Sequence, residues 1–505
     1  MRKQIILLAL CLVGVLVSVS CVTAADIYVN ASAPAGGDGS STNPFQNISS
    51  GVNLATDGDT VNIADGTYTG DSNTGITISK NMSIIGQSQT GTIIDAENNN
   101  WIFKIADSVT VSISKLTLKN SATTEDDYGA IYNNGDAVTF NSCAFTTNQA
   151  SVRGGAIYNY GDLVTFNNCA FTGNTAESGG AIYNRYGVVT FNSCAFTDNS
   201  ASGSGGAIYN YGDLLTFNSC AFTGNTAAYG GGIYNRDELI CTNCDFTGNT
   251  AAYSGGAIYN DYATVTVIGS NLASNTAGND GGAFNNYFGD FTLNFNWIVG
   301  NTAGRYGPDI YNTNNPENTI NALYNWWGSN DGPAAGSIEY SQEDLVEYDP
   351  WLVMTYSADP TTIQQGETST LTADFRYDSD GTFHDPAGGH LPDGLPVTFT
   401  TDLGNVGSKS VVTYTLNGVA TATLRGDEAA GEALTTANLD DQTLTAPVTI
   451  RAAGGEDDGN STVIAEAATS ETVGMQETGT PISGIVLAIL MVLGGFISTR
   501  KNNKR

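Results

Sequence analysis

The sequence predicts an all-β protein in which a parallel β-helix is followed by a β-sandwich and one C-terminal transmembrane helix. Three observations predict this fold class. A block rich in Gly, Asn, Thr, Tyr and Phe recurs every 25 or 26 residues between 129 and 312. The repeat stops after residue 350, where alternating apolar and polar residues indicate a different β domain. An uncharged apolar run over 481–499 then approaches the end of the chain.

A secretory signal peptide is predicted over residues 1–25. Arg2 and Lys3 precede an apolar run, and small residues from Val22 to Ala25 resemble a cleavage site. The mature chain is then expected to begin near Asp26. An alternative is a lipoprotein with its lipid on Cys21.

Charge narrows the class of partner. Charged residues make up 13% of the chain, yet they leave a net charge of -32 at pH 7. A field of this sign repels phosphate backbones and anionic lipid surfaces, so no nucleic-acid partner is expected. Neutral glycans, proteins or divalent cations are the expected partners, and the sequence predicts no cofactor.

Each repeat contains the hexapeptide Gly-Gly-Ala-Ile-Tyr-Asn or a close variant, followed by apolar residues two apart. This alternation predicts three short strands in each block, stacked in parallel. Phe replaces the Ile once, at Phe284, whereas Asn and Asp replace the Tyr and Ala at Asn285 and Asp309. We therefore predict that Ile points inward and that Tyr and Ala point outward. The outward tyrosines form either a glycan-stacking stripe or a ladder that only stabilises the rungs: Tyr132, Tyr158, Tyr183, Tyr209, Tyr234 and Tyr259.

Two series of Asn residues recur with the same period and are predicted to form ladders of amide hydrogen bonds from rung to rung. One series runs through the second half of each block, from Asn148 to Asn301. The other ends each hexapeptide and comprises Asn133, Asn159, Asn184, Asn210, Asn235 and Asn260, with Asn286 and Asn312 beyond them.

Five cysteines occupy one position of the repeat: Cys143, Cys169, Cys194, Cys220 and Cys244. Ser270 and Asn296 fill the same position later, which predicts a semi-buried site for small polar groups. Neighbouring rungs place the sulfurs close enough to pair. A reduced thiol stack and disulfides between rungs therefore both remain open. No second pair accompanies Cys241 and Cys244, so we predict no zinc site.

The pairing of Gly-Gly-Ala-Ile at 179–182 with Phe-Thr-x-Asn at 171–174 resembles the repeats of chlamydial polymorphic membrane proteins, which are surface adhesins. Residues 57–86 resemble the opening rungs of the pectin-lyase-like right-handed β-helix. With the Asn-Trp-Trp-Gly segment that begins at Asn325, the chain is similar to adhesin-like proteins of methanogenic archaea. The resemblance implies a right-handed β-helix over 26–350.

Residues 351–451 alternate as strands and resemble the Ig-like modules of invasin and intimin, which act as surface spacers. Residues 452–480 are acidic and rich in Gly, Ser and Thr, which predicts a flexible stalk. Residues 481–499 are long enough to cross a bilayer once. The basic residues of 500–505 place the tail in the cytoplasm. A sortase-type cleavage within 475–479 is an alternative anchor.

Catalytic signals are weak in this sequence. Asp136, Asp162 and Asp213 share a turn position, but no repeated basic residue stands beside them, and Arg185 and Arg236 are isolated. We therefore interpret the aspartates as turn residues. Two further sets fall outside this pattern: a histidine pair that forms either a metal site or a loop insertion (His384 and His390), and four sequons that permit glycosylation (Asn30, Asn47, Asn81 and Asn460).

The sequence thus predicts a single-pass cell-membrane protein whose bulk lies outside the cell. Its expected role is that of an adhesin-like or envelope protein that binds surface glycans or proteins of other cells or of its own envelope. Two alternatives remain open. One is a polysaccharide lyase or hydrolase on the β-helix, and the other is a purely structural surface-layer component.

Overall fold

The computed structural model describes residues 24–123, 128–313, 320–340 and 346–454. Two β domains within this part form one compact unit. The predicted stalk, membrane span and cytoplasmic tail lie outside the described residues, as does nearly all of the predicted signal peptide. No helix among the described residues is long and apolar enough to cross a bilayer.

The first domain is a parallel solenoid built from four sheets, and successive rungs contribute successive strands to each sheet. Sheet A has 13 strands. In stacking order they are Asp26–Val29, Asp59–Ile63, Met82–Gly86, Thr110–Ser114, Ala137–Asn141, Leu163–Asn167, Val188–Asn192, Leu214–Asn218, Glu238–Thr242, Val265–Ile268, Phe291–Asn294, Ile320–Asn321 and Val346–Glu347.

Sheet B carries the Ile-Tyr-Asn strands and has 11 members. They are Ile76–Ile78, Phe103–Ile105, Ile131–Asn133, Ile157–Asn159, Ile182–Asn184, Ile208–Asn210, Ile233–Asn235, Ile258–Asp261, Phe284–Tyr287, Ile310–Thr313 and Ile338–Tyr340.

Sheets C and D complete the rungs with 10 and 8 strands. Sheet C contains Gly66–Tyr68, Thr92–Asp95, Thr117–Lys119, Ala144–Thr146, Ala170–Thr172, Ala195–Thr197, Ala221–Thr223, Asp245–Thr247, Asn271–Ala273 and Trp297–Val299. Sheet D contains Ala122–Thr123, Gln149–Ala150, Thr175–Ser178, Ser200–Ser204, Thr226–Tyr229, Thr250–Ser254, Thr276–Ala277 and Thr302–Ala303.

The predicted parallel β-helix is confirmed, but each central rung has four strands and not three. The fourth strand, in sheet D, begins with Thr or Ser followed by Ala in six of its eight members and lacks the apolar alternation that marks the others. Pairing in sheets A, B and C is in register from rung to rung, so that Ile157 pairs with Ile182 and Phe166 with Phe191, whereas sheet D contains register shifts. Equivalent residues therefore form columns about 4.8 Å apart along the rod.

Columns of Ile and Phe fill the interior of the solenoid. Phe166 and Phe191 stack with ring centroids 4.6 Å apart and planes 5° from parallel. The Ala column, predicted to face outward, is instead buried, as at Ala156 and Ala181. That prediction relied on Asp309, which replaces Ala at one rung. A polar residue can occupy this position because the Asp309 carboxylate accepts a hydrogen bond of 3.0 Å from Asn301 Nδ2, near the end of an Asn ladder.

The two glycines of the hexapeptide are required by close backbone approach. Gly179 has φ of +64°, and a Cβ there would lie 2.1 Å from the carbonyl oxygen of Ile182. A Cβ on Gly180 would lie 2.1 Å from the carbonyl oxygen of Gly206 on the next rung. The Gly-Gly pair thus lets the chain turn into sheet B while neighbouring rungs remain one strand spacing apart.

One short helix, Ile48–Leu54, lies beside the first strands of the solenoid. The side chain of Asn47 caps it by accepting a hydrogen bond of 3.1 Å from the backbone N–H of Ser50. Ile48 and Val52 are buried among the first rungs. The helix therefore covers apolar surface at the start of the β-helix.

The second domain is a sandwich of two sheets that share one core. The first sheet contains Leu352–Asp359, Thr368–Asp378 and Val419–Arg425. The second contains Thr362–Gln364, Gln442–Arg451, Gly431–Leu439, Pro396–Thr401 and Ser410–Tyr414. A 3-10 helix, Pro386–Gly388, lies in the connection before Pro396–Thr401.

The Asn-Trp-Trp segment joins the two domains. Asn325 Nδ2 donates to the carbonyl oxygen of Leu293 at 2.8 Å and so belongs to the solenoid. Trp327 packs in the solenoid core, whereas Trp326 is fully buried in the sandwich core. Trp326 meets Phe375 edge-on, with ring centroids 5.3 Å apart. Consecutive tryptophans thus anchor the end of the rod to the sandwich.

Candidate functional site

The predicted tyrosine stripe lies on sheet B, where its members form one column in register. Tyr183 and Tyr209 stack at 4.8 Å, whereas Tyr158 and Tyr183 meet edge to face at 5.4 Å. Tyr158 and Tyr183 are each 8% exposed, and the other four members are half-buried. The rings therefore bury most of their surface, largely against each other.

More exposed tyrosines lie in the turn that follows sheet B. Tyr160, Tyr186 and Tyr211 keep 40 to 41% of their surface exposed. The Tyr160 and Tyr186 rings meet edge to face at 4.7 Å. The repeated segment Asn-Tyr-Gly-Asp at 159–162 and 210–213 marks this turn in the sequence, but the prediction considered only its Asp residues.

Arginines lie among these rings. The guanidinium carbon of Arg185 is 5.0 Å from the Tyr186 centroid and 4.5 Å from that of Tyr211. Arg236 lies 5.1 Å from the same Tyr211 ring. The sequence predicted that these two arginines are isolated. That prediction is wrong, because the rung register brings both to one tyrosine. We call Tyr160, Arg185, Tyr186, Tyr211 and Arg236 the tyrosine–arginine ridge.

The two ridge arginines differ in their other partners. Arg236 Nε forms a salt bridge of 2.9 Å with Asp261, which also accepts a hydrogen bond of 2.8 Å from the Tyr234 hydroxyl. Burial, together with the Asp261 contact, raises the pKa of Tyr234. Among the described residues Arg185 forms no salt bridge, and the groups that most raise its pKa are tyrosines. Its guanidinium edge therefore retains donors for a ligand.

An acidic groove of about 350 Å³ runs beside the ridge. Tyr160 and Tyr186 line it together with four exposed aspartates, Asp107, Asp136, Asp162 and Asp213. Among the described residues no group of three or more His, Cys, Asp or Glu side chains has the geometry to hold a metal ion. The groove thus offers carboxylate acceptors next to aromatic faces.

The Asn residues that end the hexapeptides donate amide hydrogen bonds along the rod. Asn159 Nδ2 donates to Asn184 Oδ1 at 2.8 Å, and Asn184 donates to Asn210 at 2.9 Å. The same bond joins each successive pair from Asn133 to Asn312. These amides are buried, so they lie behind the tyrosine column and not on the surface.

The repeated cysteines line the interior and are free thiols, as is Cys241. They are at most 2% exposed, so the position is fully buried and not semi-buried as predicted. The backbone N–H of Cys169 donates to Cys194 Sγ at 3.4 Å, and Cys244 N–H donates to Ser270 Oγ at 3.0 Å. This shared acceptor role explains why Ser and Asn replace Cys later. Burial raises the pKa of Cys244.

The two histidines have separate partners. His384 Nε2 lies 2.9 Å from Asp378 Oδ2, and its ring packs against Tyr324. His390 Nδ1 lies 2.6 Å from the carbonyl oxygen of Leu391. His384 therefore packs where the sandwich meets the last rungs, and the two residues share no ligand geometry within the described chain.

The predicted glycosylation sites lie in different settings. Asn81 is exposed, and Asn30 is half-buried in the loop after the first strand. Asn47 caps the short helix. Asn460 lies outside the described residues.

Five segments match the Chlamydia polymorphic membrane protein repeat. The matched segments are 142–160, 168–185, 193–211, 219–236 and 243–261. Each matched segment spans the strands of sheets C, D and B and ends one residue after the ladder Asn. The last matched residue is a member of the ridge in four of the five segments: Tyr160, Arg185, Tyr211 and Arg236.

No curated protein matches the chain. Solved structures similar to it include S-layer protein SbsC domains 4 and 5, with 18% identity, a TM-score of 0.15 and coverage of 21% of this chain and 57% of that one. The PL6 family alginate lyase AlyGC has 12% identity, a TM-score of 0.34 and coverage of 66% and 54%. The complex of XylC with xylose has 10% identity, a TM-score of 0.35 and coverage of 69% and 89%. The chain spans little more than half the length of the first two, and TM-scores this low carry no inference about substrate.

Proposed function

We propose that this chain is a cell-surface protein of adhesin type that binds a saccharide along the tyrosine–arginine ridge. One observation carries the proposal. The repeat region 129–312 contains four cationic side chains, all arginine, and each lies within 5.9 Å of a tyrosine ring centroid on sheet B or its flanking turns. In a chain with net charge -32, this concentrates the positive charge of the repeat region 129–312 beside its exposed aromatic surface.

The chemistry of the ridge suits a sugar. Exposed tyrosine rings offer apolar faces against which the C–H side of a pyranose packs, and their hydroxyls remain in water. Arg185 can donate to sugar oxygens, and the neighbouring aspartates can accept from sugar hydroxyls. The ridge spans several rungs on an open surface, which fits a chain-like ligand better than a small enclosed one.

The membrane setting belongs to the same proposal. The predicted signal peptide at 1–25 would direct export of the chain. The predicted membrane span at 481–499 would then hold the solenoid outside the cell, with the sandwich as an Ig-like spacer and the acidic stalk beneath it. The match to the polymorphic membrane protein repeat supports a surface location. A right-handed twist of the solenoid and an origin in a methanogenic archaeon stay predictions.

A polysaccharide lyase or hydrolase is the alternative that the acidic groove keeps open. Asp136, Asp162 and Asp213 line one groove with two tyrosines, which is an arrangement that a sugar-cleaving site also uses. We favour binding over a lyase reaction, because no Lys or Arg lines the described groove to act as a base, and a hydrolase remains the enzymatic alternative. A purely structural surface-layer component would show neither binding nor cleavage.

The experiment exposes the full chain to immobilised glycans and whole cells and records both protein retained and saccharide released. The test variant replaces Tyr160, Tyr186 and Tyr211 with Ala. The control replaces Tyr229, Tyr253 and Tyr414, which are 37 to 63% exposed and lie outside the ridge. Retention that the ridge variant loses and the control keeps supports the proposal. Equal retention by both variants overturns the ridge, and released saccharide overturns binding without cleavage.

A further inference from the structure

A cleft of about 440 Å³ lies at the N-terminal end of the rod, among the first rungs of the solenoid. Its floor is the outward face of sheet A, where Tyr28, Asn62 and Ile85 form one column in register. Its size falls within the range of small-ligand pockets. The tyrosine–arginine ridge follows sheet B, so this cleft occupies a different side of the rod.

One wall of the cleft is a loop held against the sheet. Asn30, Ser41 and Pro44 line this wall. The loop is fixed by two backbone hydrogen bonds, from Asn30 N–H to the Phe45 carbonyl at 2.8 Å and from Phe45 N–H to the Tyr28 carbonyl at 2.9 Å. The wall is therefore preformed, and a ligand does not need to order it.

The opposite rim carries Gln87 and Lys115. Among the described residues that line the cleft, Lys115 is the only charged one, although the chain has 50 acidic and 18 basic residues. Within the described part of the chain the Lys115 ammonium has no hydrogen-bond or ion-pair partner. A cleft with one unpaired cation and several amide and hydroxyl groups favours a ligand that is polar and negatively charged.

The backbone of Lys115 points to the same conclusion. Its φ is +56°, in the left-handed region, and the equivalent turn residue of the central rungs has the same conformation. Small residues that tolerate it fill those rungs: Ser142, Asn168, Ser193, Ser219, Asn243 and Gly269. Large residues return at Phe295 and Tyr324, which pack against His384 of the sandwich. The other large side chains of this column thus contact the sandwich, whereas the side chain of Lys115 is exposed and has no such contact.

We propose that this cleft binds a saccharide unit that bears a carboxylate, of the hexuronic acid class. The Lys115 ammonium holds the carboxylate, Tyr28 and Ile85 contact the apolar side of the sugar ring, and the amides of Asn30, Asn62 and Gln87 serve its hydroxyls. The proposal does not rest on the ridge. It gives the protein a second saccharide site with a preference for acidic sugars.

The test measures binding of D-glucuronate, D-glucose and acetate to the full chain by calorimetry. The protein is made in a host without N-glycosylation, because Asn30 is a sequon and lines the cleft. We expect glucuronate to bind roughly tenfold more tightly than either glucose or acetate. Lys115→Gln removes the preference over glucose. Lys104→Gln, the same charge change beside Tyr132 on sheet B, keeps it.

Three results would overturn the proposal: equal affinity for glucuronate and glucose, acetate binding as tight as glucuronate, or a preference that survives Lys115→Gln. The ridge variant with Tyr160, Tyr186 and Tyr211 changed to Ala serves as a second control. It is expected to bind glucuronate with unchanged affinity. The proposal for the cleft and the proposal for the ridge can therefore be refuted independently of each other.

Discussion

The indole N–H of Trp326 donates to the carboxylate of Asp440 at 2.7 Å, across 114 residues of chain. Trp297, from the last strand of sheet C, donates to the same oxygen, also at 2.7 Å. One carboxylate on the sandwich thus receives two indoles from the end of the solenoid. Burial raises the pKa of Asp440, while the two indole hydrogen bonds act in the opposite direction.

Asp440→Ala is expected to loosen the junction between the two domains. It leaves the indole N–H groups of the fully buried Trp326 and the half-buried Trp297 without their acceptor, which costs about 2–4 kcal/mol in the free energy of unfolding. Denaturant titration measures the change, and hydrogen exchange at Trp326 localises it. Asp441→Ala, at an exposed neighbouring position, is the control. Equal stability of the two variants would show that the indole contacts do not hold the junction.

Asn184→Ala is expected to cost about 2–3 kcal/mol, because it removes a buried amide that both accepts and donates within the ladder. Asn192 offers a matched control. It lies in a similar chain of amides on the outer face of sheet A, donating to Asn167 and accepting from Asn218 at 2.9 Å each, but is half-buried. Asn192→Ala should cost about 1 kcal/mol or less. Thermal unfolding compares the two, and similar losses would contradict a special role for burial.

Asp309 predicts a pH dependence of stability. Burial raises the pKa of this carboxyl from 3.8 to about 6. The folded state therefore holds a proton that the unfolded state has lost, and stability falls as pH rises from about 4 to 6, by at most about 3 kcal/mol. Asp309→Asn should flatten the curve over this interval. The measurement is denaturant unfolding at a series of pH values, and an unchanged slope in the variant would contradict the assignment.

The thiol column is expected to resist alkylation in the folded protein. Cys143, Cys194 and Cys244 are at most 2% exposed, so the reagent cannot reach their sulfurs in the folded chain, and burial also raises the pKa of Cys244. Peptide-resolved mass spectrometry after iodoacetamide treatment should show labelling at these positions only in denaturant. Rapid labelling of the native chain would indicate that the rungs open readily.

Arg185→Lys tests the stacked geometry of the ridge without changing its charge. An ammonium cannot lie flat against Tyr186 and Tyr211 as a guanidinium does, so we expect glycan affinity to fall roughly three- to tenfold. Arg305→Lys is the control, because Arg305 lies over Tyr306 and binds Asp280 outside the ridge. If both variants bind glycan as the wild type does, charge alone accounts for the role of Arg185.

Local pattern was a reliable guide to the solenoid. The 25- or 26-residue period, the inward Ile and Phe columns and the Gly-Gly turns all follow from residue types that recur at fixed spacing. The Ala position shows where this reasoning fails. A single Asp309 indicated an outward column, yet its carboxylate serves a buried amide of the ladder. Residue polarity alone does not report orientation when a buried partner is available.

The candidate site was found only in part. Their repetition in the sequence predicts a stripe of hexapeptide tyrosines, but repetition also lets these tyrosines stack on each other and lose exposed surface. The more exposed rings, Tyr160 and Tyr186, occur one turn later at positions that alternate between rungs. Their alignment with Arg185 depends on rung register, which sets contacts between residues about 25 positions apart.

The sequence by itself determined the repeat, three of the four strands in each central rung and the columns of identical residues, because each rung meets the same neighbours and its environment recurs many times in the sequence. Only the tertiary structure decided which non-repeating residues come together. Trp326 contacts Asp440 once and Arg185 contacts Tyr211 once, through domain packing and coiling, and coiling also places Lys115 and Tyr28 around one cleft. Contacts made once leave no periodic signal in the sequence, and at these positions the candidate binding surfaces and the domain junction are formed.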